Sequence, residues 1–283
     1  MGVTRIRGKM LAAALLALAA PAAAASNPPA WTRPIAPFHL IGPIDYVGTE
    51  GLAAYLIHTS AGAILIDEPM AENAARLERN IAARAKLRDV KLILLSHAHF
   101  DHAGGLAALK RATGAKLVVG AADARAVETG TPPGETNYGV IRFPAAHVDR
   151  AIRDGETVTL GGVTLTAVAT PGHTPGCTSW KMRILDRGVP RDVLFACSIT
   201  VAGNRLVGNR AYPSIVGDFR RSFDRLAREK PDVVLPFHPE TADVLGRAKR
   251  DALVDPTVLP KMVQDARAAF DADLARQQHQ HLD

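Results

Sequence analysis

The sequence predicts an α/β protein, and three observations carry the prediction. The apolar run Lys91 to Leu95 reads as a buried strand and passes directly into Ser96-His97-Ala98-His99-Phe100-Asp101-His102, where three histidines and an aspartate crowd together. Two further predicted strands run into metal-ligand residue types, one at Gly172-His173-Thr174 and one at Phe237-His238-Pro239. Helical patterns lie between the strands, as in layered α/β proteins, whose sites gather at the carboxyl ends of strands.

The chain opens on Arg5, Arg7 and Lys9, an apolar core from Met10 to Ala20, then Pro21 and an alanine run. This is the pattern of a secretory signal peptide over residues 1–25, cleaved after one of Ala23 to Ala25. Its core is shorter than the stretch of about 20 apolar residues that a membrane helix needs, and no later segment approaches that length. Residues 26–283 are therefore expected to form one exported, soluble domain, since no linker or long repeat separates two cores. The formal net charge of +6 is halved when Arg5, Arg7 and Lys9 leave with the signal. No basic run with interleaved aromatics remains, which speaks against nucleic acid as a partner.

In order, residues 26–37 hold four prolines and read as an extended lead-in. Strands are predicted at Phe38 to Ile41, Ile44 to Val47, Leu52 to His58 and Ala63 to Asp67, from apolar and β-branched residues between glycine or polar turns. Ala71 to Lys86, with Leu77 and Ile81 four apart, is predicted as an amphipathic helix feeding the Lys91 to Leu95 strand. Gly104 and Gly105 open a second helix to about Ala112, followed by a strand at Lys116 to Val119 and a glycine- and proline-rich loop over 130–146. Strands at Thr157 to Leu160, Val163 to Thr170, Thr178 to Ile184 and Val193 to Ala196 begin a loosely repeated second half. A helix at Ser214 to Glu229 with apolar Ile215, Phe219, Phe223 and Leu226 precedes a strand at Asp232 to Leu235. The rest is mainly helical, with Gln277 to Asp283 expected to fray.

Imidazole and carboxylate are common zinc ligands, and a catalytic site takes three from the protein and leaves a position open. Six such ligands serve two metals. In extended chain His97 and His99 point to the same side, with Asp101 and His102 following where the chain turns into a loop. Taken singly, each histidine has an ordinary structural reading; the concentration of ligand types does not. His39, His58 and His147 keep that ordinary reading, and His279 and His281 belong to a polar tail. Cys177 and Cys197 can pair in an oxidising compartment, or stand as small buried residues, one of them a potential ligand.

These residues resemble the metallo-β-lactamase superfamily, and within it the class B enzymes of the third subclass, from about Phe38 to about residue 250. The motifs are His97-Ala98-His99-Phe100-Asp101-His102, Gly172-His173-Thr174-Pro175-Gly176-Cys177-Thr178-Ser179-Trp180, Ser198 with Thr200, and His238. His102 stands where the first subclass has arginine. Ser198 stands where the first two have a zinc-binding cysteine, and a slip of one residue would put Cys197 there instead. Glyoxalase-type and lactonase-type relatives place a bridging aspartate after the matching strand; Phe195-Ala196-Cys197-Ser198-Ile199-Thr200 has none.

The resemblance implies a four-layer αββα sandwich holding two zinc ions, the first on His97, His99 and His173 and the second on Asp101, His102 and His238. It implies a zinc-bound hydroxide, oriented by catalytic Asp101, that attacks the β-lactam amide of penicillins, cephalosporins and carbapenems, and hence antibiotic resistance. Ser198 and Thr200 would bind the substrate carboxylate, and a Cys177–Cys197 bridge becomes the expectation. The family's usual setting adds a monomer in the periplasm. The alternative is another hydrolase on this scaffold, acting on a lactone, thioester or phosphodiester. A non-catalytic zinc-binding protein is further off, because two groups of three ligands leave room for water and substrate.

Overall fold

Successive strand residues face two different apolar environments, and this period-two alternation builds the layers. The protein is represented by a computed structural model that describes Gly2 and residues 27–280; apart from Gly2 the expected signal peptide lies outside the described residues, as does His281. Seven strands form the first sheet in chain order: β1 (Phe38–Ile41), β2 (Ile44–Tyr46), β3 (Tyr55–Thr59), β4 (Gly62–Ile66), β5 (Val90–Leu94), β6 (Lys116–Gly120) and β7 (Arg150–Ile152). Five form the second: β8 (Thr157–Leu160), β9 (Val163–Ala169), β10 (Thr178–Asp186), β11 (Val189–Ala196) and β12 (Val233–Pro236). β1 to β4 are antiparallel neighbours, and β4 to β7 are parallel. β8 to β11 repeat the antiparallel meander, and β12 joins β11 in parallel. Each half thus runs as a meander and then crosses over, the loose repeat expected from the sequence.

Tyr55, Ile57, Ile64, Ile66 and Leu94 of the first sheet meet Leu165, Trp180, Met182, Phe195 and Leu235 of the second in the central core. The alternate residues Leu56, Leu65, Ile93 and Leu117 pack outward on α1 (Ala74–Ala82), α3 (Leu106–Thr113) and α4 (Ala124–Thr129). On the opposite side Leu194, Ala196 and Val234 pack on α5 (Ile215–Leu226) and α7 (Val258–Gln280). Three apolar interfaces make four layers, helix, sheet, sheet, helix, so the αββα sandwich stands. Each fully buried Leu or Phe in these interfaces contributes about 1.5–3 kcal/mol.

Several elements differ from expectation for local reasons. The first helix ends at Ala82 rather than Lys86, and Arg84 in the turn that follows forms a bidentate pair with buried Asp45, at 2.7 and 2.9 Å. The α4 helix and the three-residue β7 were missed; both are too short to show a period. The expected frayed tail is helical to Gln280, held where Gln277 accepts from the Leu206 amide at 2.6 Å and donates to the Asn204 carbonyl at 3.0 Å. Cys177 and Cys197 form a disulfide across 20 residues of sequence, which excludes either as a free ligand. No helix among the described residues is long and apolar enough to cross a membrane.

Asp45 also takes His58 Nε2 at 2.7 Å and His39 Nδ1 at 3.5 Å, so these two histidines are structural. Burial raises the Asp45 pKa, but Arg84 and His58 outweigh it and hold the carboxyl below its usual range. A depressed folded-state pKa stabilises the fold above the unfolded value and loses that contribution as the pH falls through the folded one. Asp45→Asn is therefore expected to destabilise the protein fully at about pH 5, with the gap to wild type closing below about pH 4, as read by urea unfolding. Cys177→Ala with Cys197→Ala should remove about 3 kcal/mol of unfolding free energy, the loop-closure contribution of a bridge this long, measured the same way.

Candidate metal centre

Leu95 carries the chain out of β5, and His97 and His99 follow, His99 with extended backbone immediately before a helical turn. Asp101 and His102 then lie in a single helical turn, α2 (Phe100–Ala103), rather than in the loop that their spacing suggested. His173 sits in the turn after β9, and His238 comes two residues beyond β12. Five histidines and one carboxylate from three strand ends converge at one edge of the sandwich.

Their donor atoms fall into two triads. His97, His99 and His173 bring ligand nitrogens within 4.8 Å of one another, with His99 Nδ1 3.0 Å from His173 Nε2. In the other triad Asp101 Oδ2 lies 3.3 Å from His102 Nε2 and 3.4 Å from His238 Nε2, which are themselves 3.2 Å apart. Around a tetrahedral ion with ligands at about 2.0–2.1 Å, donor atoms lie about 3.3 Å from each other. The triads adjoin, since His97 also groups with Asp101 and His102 and its ring is 4.2 Å from that of His102.

Outer partners fix which ring nitrogens are bare. The Thr200 carbonyl can only accept, so His173 Nδ1–H donates to it at 2.7 Å and leaves Nε2 unprotonated. His102 Nδ1–H donates to Asp67 Oδ2 at 2.9 Å, which turns Nε2 towards the other donors. The Ser96 hydroxyl donates to Asp67 at 2.6 Å and accepts from His97 Nδ1 at 3.0 Å. His97 Nε2 is then a bare, fully buried nitrogen with no hydrogen-bond partner among the described residues, a costly arrangement that a cation relieves. The donor set fits a metal.

The model of the metallo-β-lactamase superfamily matches residues 48–238. The chain belongs to that superfamily. It is similar over nearly its whole length to the crystal structure of BJP-1, a subclass B3 metallo-β-lactamase of Bradyrhizobium japonicum, at 44% identity and a TM-score of 0.85, covering 89% of this chain and 98% of that one. Native FEZ-1 metallo-β-lactamase from Legionella gormanii superposes with a TM-score of 0.81 at 34% identity, covering 87% and 98%. Among curated relatives, a hydroxyacylglutathione hydrolase of Hyphomonas neptunium is 33% identical over 144 residues, 50% of this chain and 47% of that protein. The chain thus spans about half the length of that relative.

As a metallo-β-lactamase superfamily hydrolase, the protein shows electrostatics suited to its donors. Burial pushes His97 and His173 well below the usual imidazole range and His99 down to about 4, so these rings are neutral and available as ligands. Burial would also lower His102, but Asp101 and Asp67 outweigh it and push the ring up to about 10. Burial would raise Asp101, yet His102 and His238 hold it well below the carboxylate range. Without metal, a proton among these groups supplies the positive charge that the carboxylates call for.

Ser198 is half-buried and Thr200 exposed, both just past β11. The bridge at Cys197 removes the one-residue ambiguity, since that side chain is taken. Sequence reasoning missed the supports. In sequence Asp67 is only the end of a predicted strand, and Asn204, whose amide donates to the His173 carbonyl at 3.1 Å, carries no signal. Glu135 ties the 130–146 loop to the loop after β11, accepting from Arg205 at 2.8 Å and from the Arg210 amide at 3.0 Å. Trp31, from the expected structureless lead-in, lies in a short 3₁₀ turn with its ring 5.4 Å from that of His238. Asp67→Asn keeps the shape but presents an amide where His102 and Ser96 need acceptors. Metal affinity is expected to fall by about 10–100-fold, measured by competition with a chromophoric chelator.

Proposed function

We propose that this hydrolase is a zinc-dependent β-lactamase that opens the lactam amide of penicillins, cephalosporins and carbapenems. The observation that carries the proposal is the pairing of two complete three-donor groups with a β11 end that offers neither a free thiol nor a carboxylate between them. The near full-length likeness to subclass B3 metallo-β-lactamases supports it. In this reading His97, His99 and His173 hold one zinc ion, and Asp101, His102 and His238 hold a second. Zinc bound there would polarise the lactam carbonyl and lower the pKa of water to about 7.

The chain's own residues do the rest. Asp101 commits Oδ2 to its triad and has a second oxygen with which to accept a hydrogen bond from the attacking water and orient it. Asp67, Ser96 and the Thr200 carbonyl keep the imidazoles in the tautomers that leave bare nitrogens facing inward. Ser198 and the Thr200 hydroxyl, at the rim past β11, hydrogen-bond the substrate carboxylate. Residues 1–25 direct export to the periplasm, where the monomeric enzyme would destroy a β-lactam before it reached its target and so confer antibiotic resistance.

A thioester hydrolase is the second reading, favoured by the hydroxyacylglutathione hydrolase match. A carbapenem, a chromogenic cephalosporin and a glutathione thioester, each assayed with the mature chain before and after chelation, separate the two. Lactam turnover that vanishes on chelation and returns with zinc is the expected result; thioester turnover alone would replace the proposal. Ser198→Ala is expected to raise KM for carboxylate-bearing lactams several-fold with little change in kcat, and an unchanged KM would remove its role.

A further inference from the structure

Asp123 is a fully buried carboxylate whose side chain hydrogen-bonds none of the six donor side chains. It follows β6 and lies between the two loops that carry the all-histidine triad. Its Oδ2 accepts from the Ala98 amide at 2.9 Å and the Thr174 hydroxyl at 2.7 Å, and its Oδ1 accepts from the Gly176 amide at 2.8 Å. Ala98 is the residue between His97 and His99, and Thr174 follows His173. One side chain therefore joins a loop of the first half of the chain to a loop of the second.

The surroundings are shaped to admit that contact. A Cβ on Gly176 would stand 2.4 Å from the Asp123 amide nitrogen and 2.6 Å from its Cγ, and a Cβ on Gly120 would stand 2.2 Å from the Gly176 carbonyl oxygen. Gly120 and Gly176 thus let the end of β6 lie directly against the His173 turn. Burial pushes the Asp123 carboxyl up to about 6 against the hydrogen bonds from Thr174, Ala98 and Gly176. Such a group is costly to bury unless its geometry is needed. Its donors all belong to the loops of His97, His99 and His173, and none to Asp101, His102 or His238.

We infer that Asp123 is the positioning residue of the all-histidine triad, a clamp that sets the separation of the His97–His99 loop from the His173 turn. This rests on the reading of both triads as zinc sites. Asp123→Asn preserves shape, but in either amide orientation an NH2 group replaces an acceptor and faces the Ala98 or the Gly176 amide. The Thr174 hydroxyl can rotate to compensate; a backbone N–H cannot.

The test uses the mature full-length chain and Zn2+ alone, with affinity read by chelator competition and not by turnover. His238→Ala leaves the all-histidine triad as the complete site, and His173→Ala leaves the other. Asp123→Asn in the first background is expected to weaken zinc by about 10–100-fold, and in the second to change it by less than about twofold. Equal weakening in both, or none in the first, overturns the inference. A His238→Ala protein that binds no zinc would instead remove the triad assignment itself, so the two failures are distinguishable. If Asp123→Asn does not fold by circular dichroism, Thr174→Val, which deletes one donor, decides: a several-fold loss confined to the all-histidine triad supports the clamp, and no loss overturns it.

Discussion

The interaction on which the candidate centre most depends is a hydrogen bond on the second nitrogen of an imidazole, which fixes the ring and turns its other nitrogen inward. Asp67 supplies it for two rings at once, directly for His102 and through the Ser96 hydroxyl for His97. The carboxylate sits at the end of β4 with a left-handed backbone, φ 64°, a region that aspartate tolerates better than most residues. Its own amide donates to the Leu94 carbonyl, so the support for the ligands grows out of the same parallel pair, β4 with β5, that delivers them.

The two halves of the chain contribute unequally to this edge. The first half supplies four donors on one short stretch, whereas the second supplies His173 and His238 from separate turns. Joining them places demands on loops, which have little apolar burial of their own. The structure meets the demand with buried polar groups: Asp123 and Asn204 act on the His173 turn, and Gln277 of the last helix steadies the loop that bears Asn204. The layers below rest mainly on apolar packing, in which the alternation of side chains along each strand fixes which residues meet which neighbouring layer.

Most of the layering was legible in the sequence because strands such as Ala63 to Asp67 are apolar runs bounded by turn residues, and helices such as Ile215 to Leu226 are long enough to show their period. The six donor residues were legible because their chemical types are concentrated at strand ends. What was not legible is what packs on them. Asp67, Asp123, Asn204 and Gln277 are ordinary polar residues whose partners lie far away in sequence, and only the fold brings each to its loop. Trp31 is the same case in aromatic form, an apolar residue in a proline-rich stretch with no period to announce it.

Trp31 gives the molecule a property of a different kind. The chain has two tryptophans. Trp180 is sealed between the sheets, with its indole N–H on the Leu95 carbonyl at 3.3 Å, whereas Trp31 is half-buried against His238 and Phe100. The intrinsic emission of the protein thus divides into an interior component that reports the integrity of the sandwich and a rim component that reports the surroundings of His238. Folding and site chemistry can be followed in one cuvette, without a label.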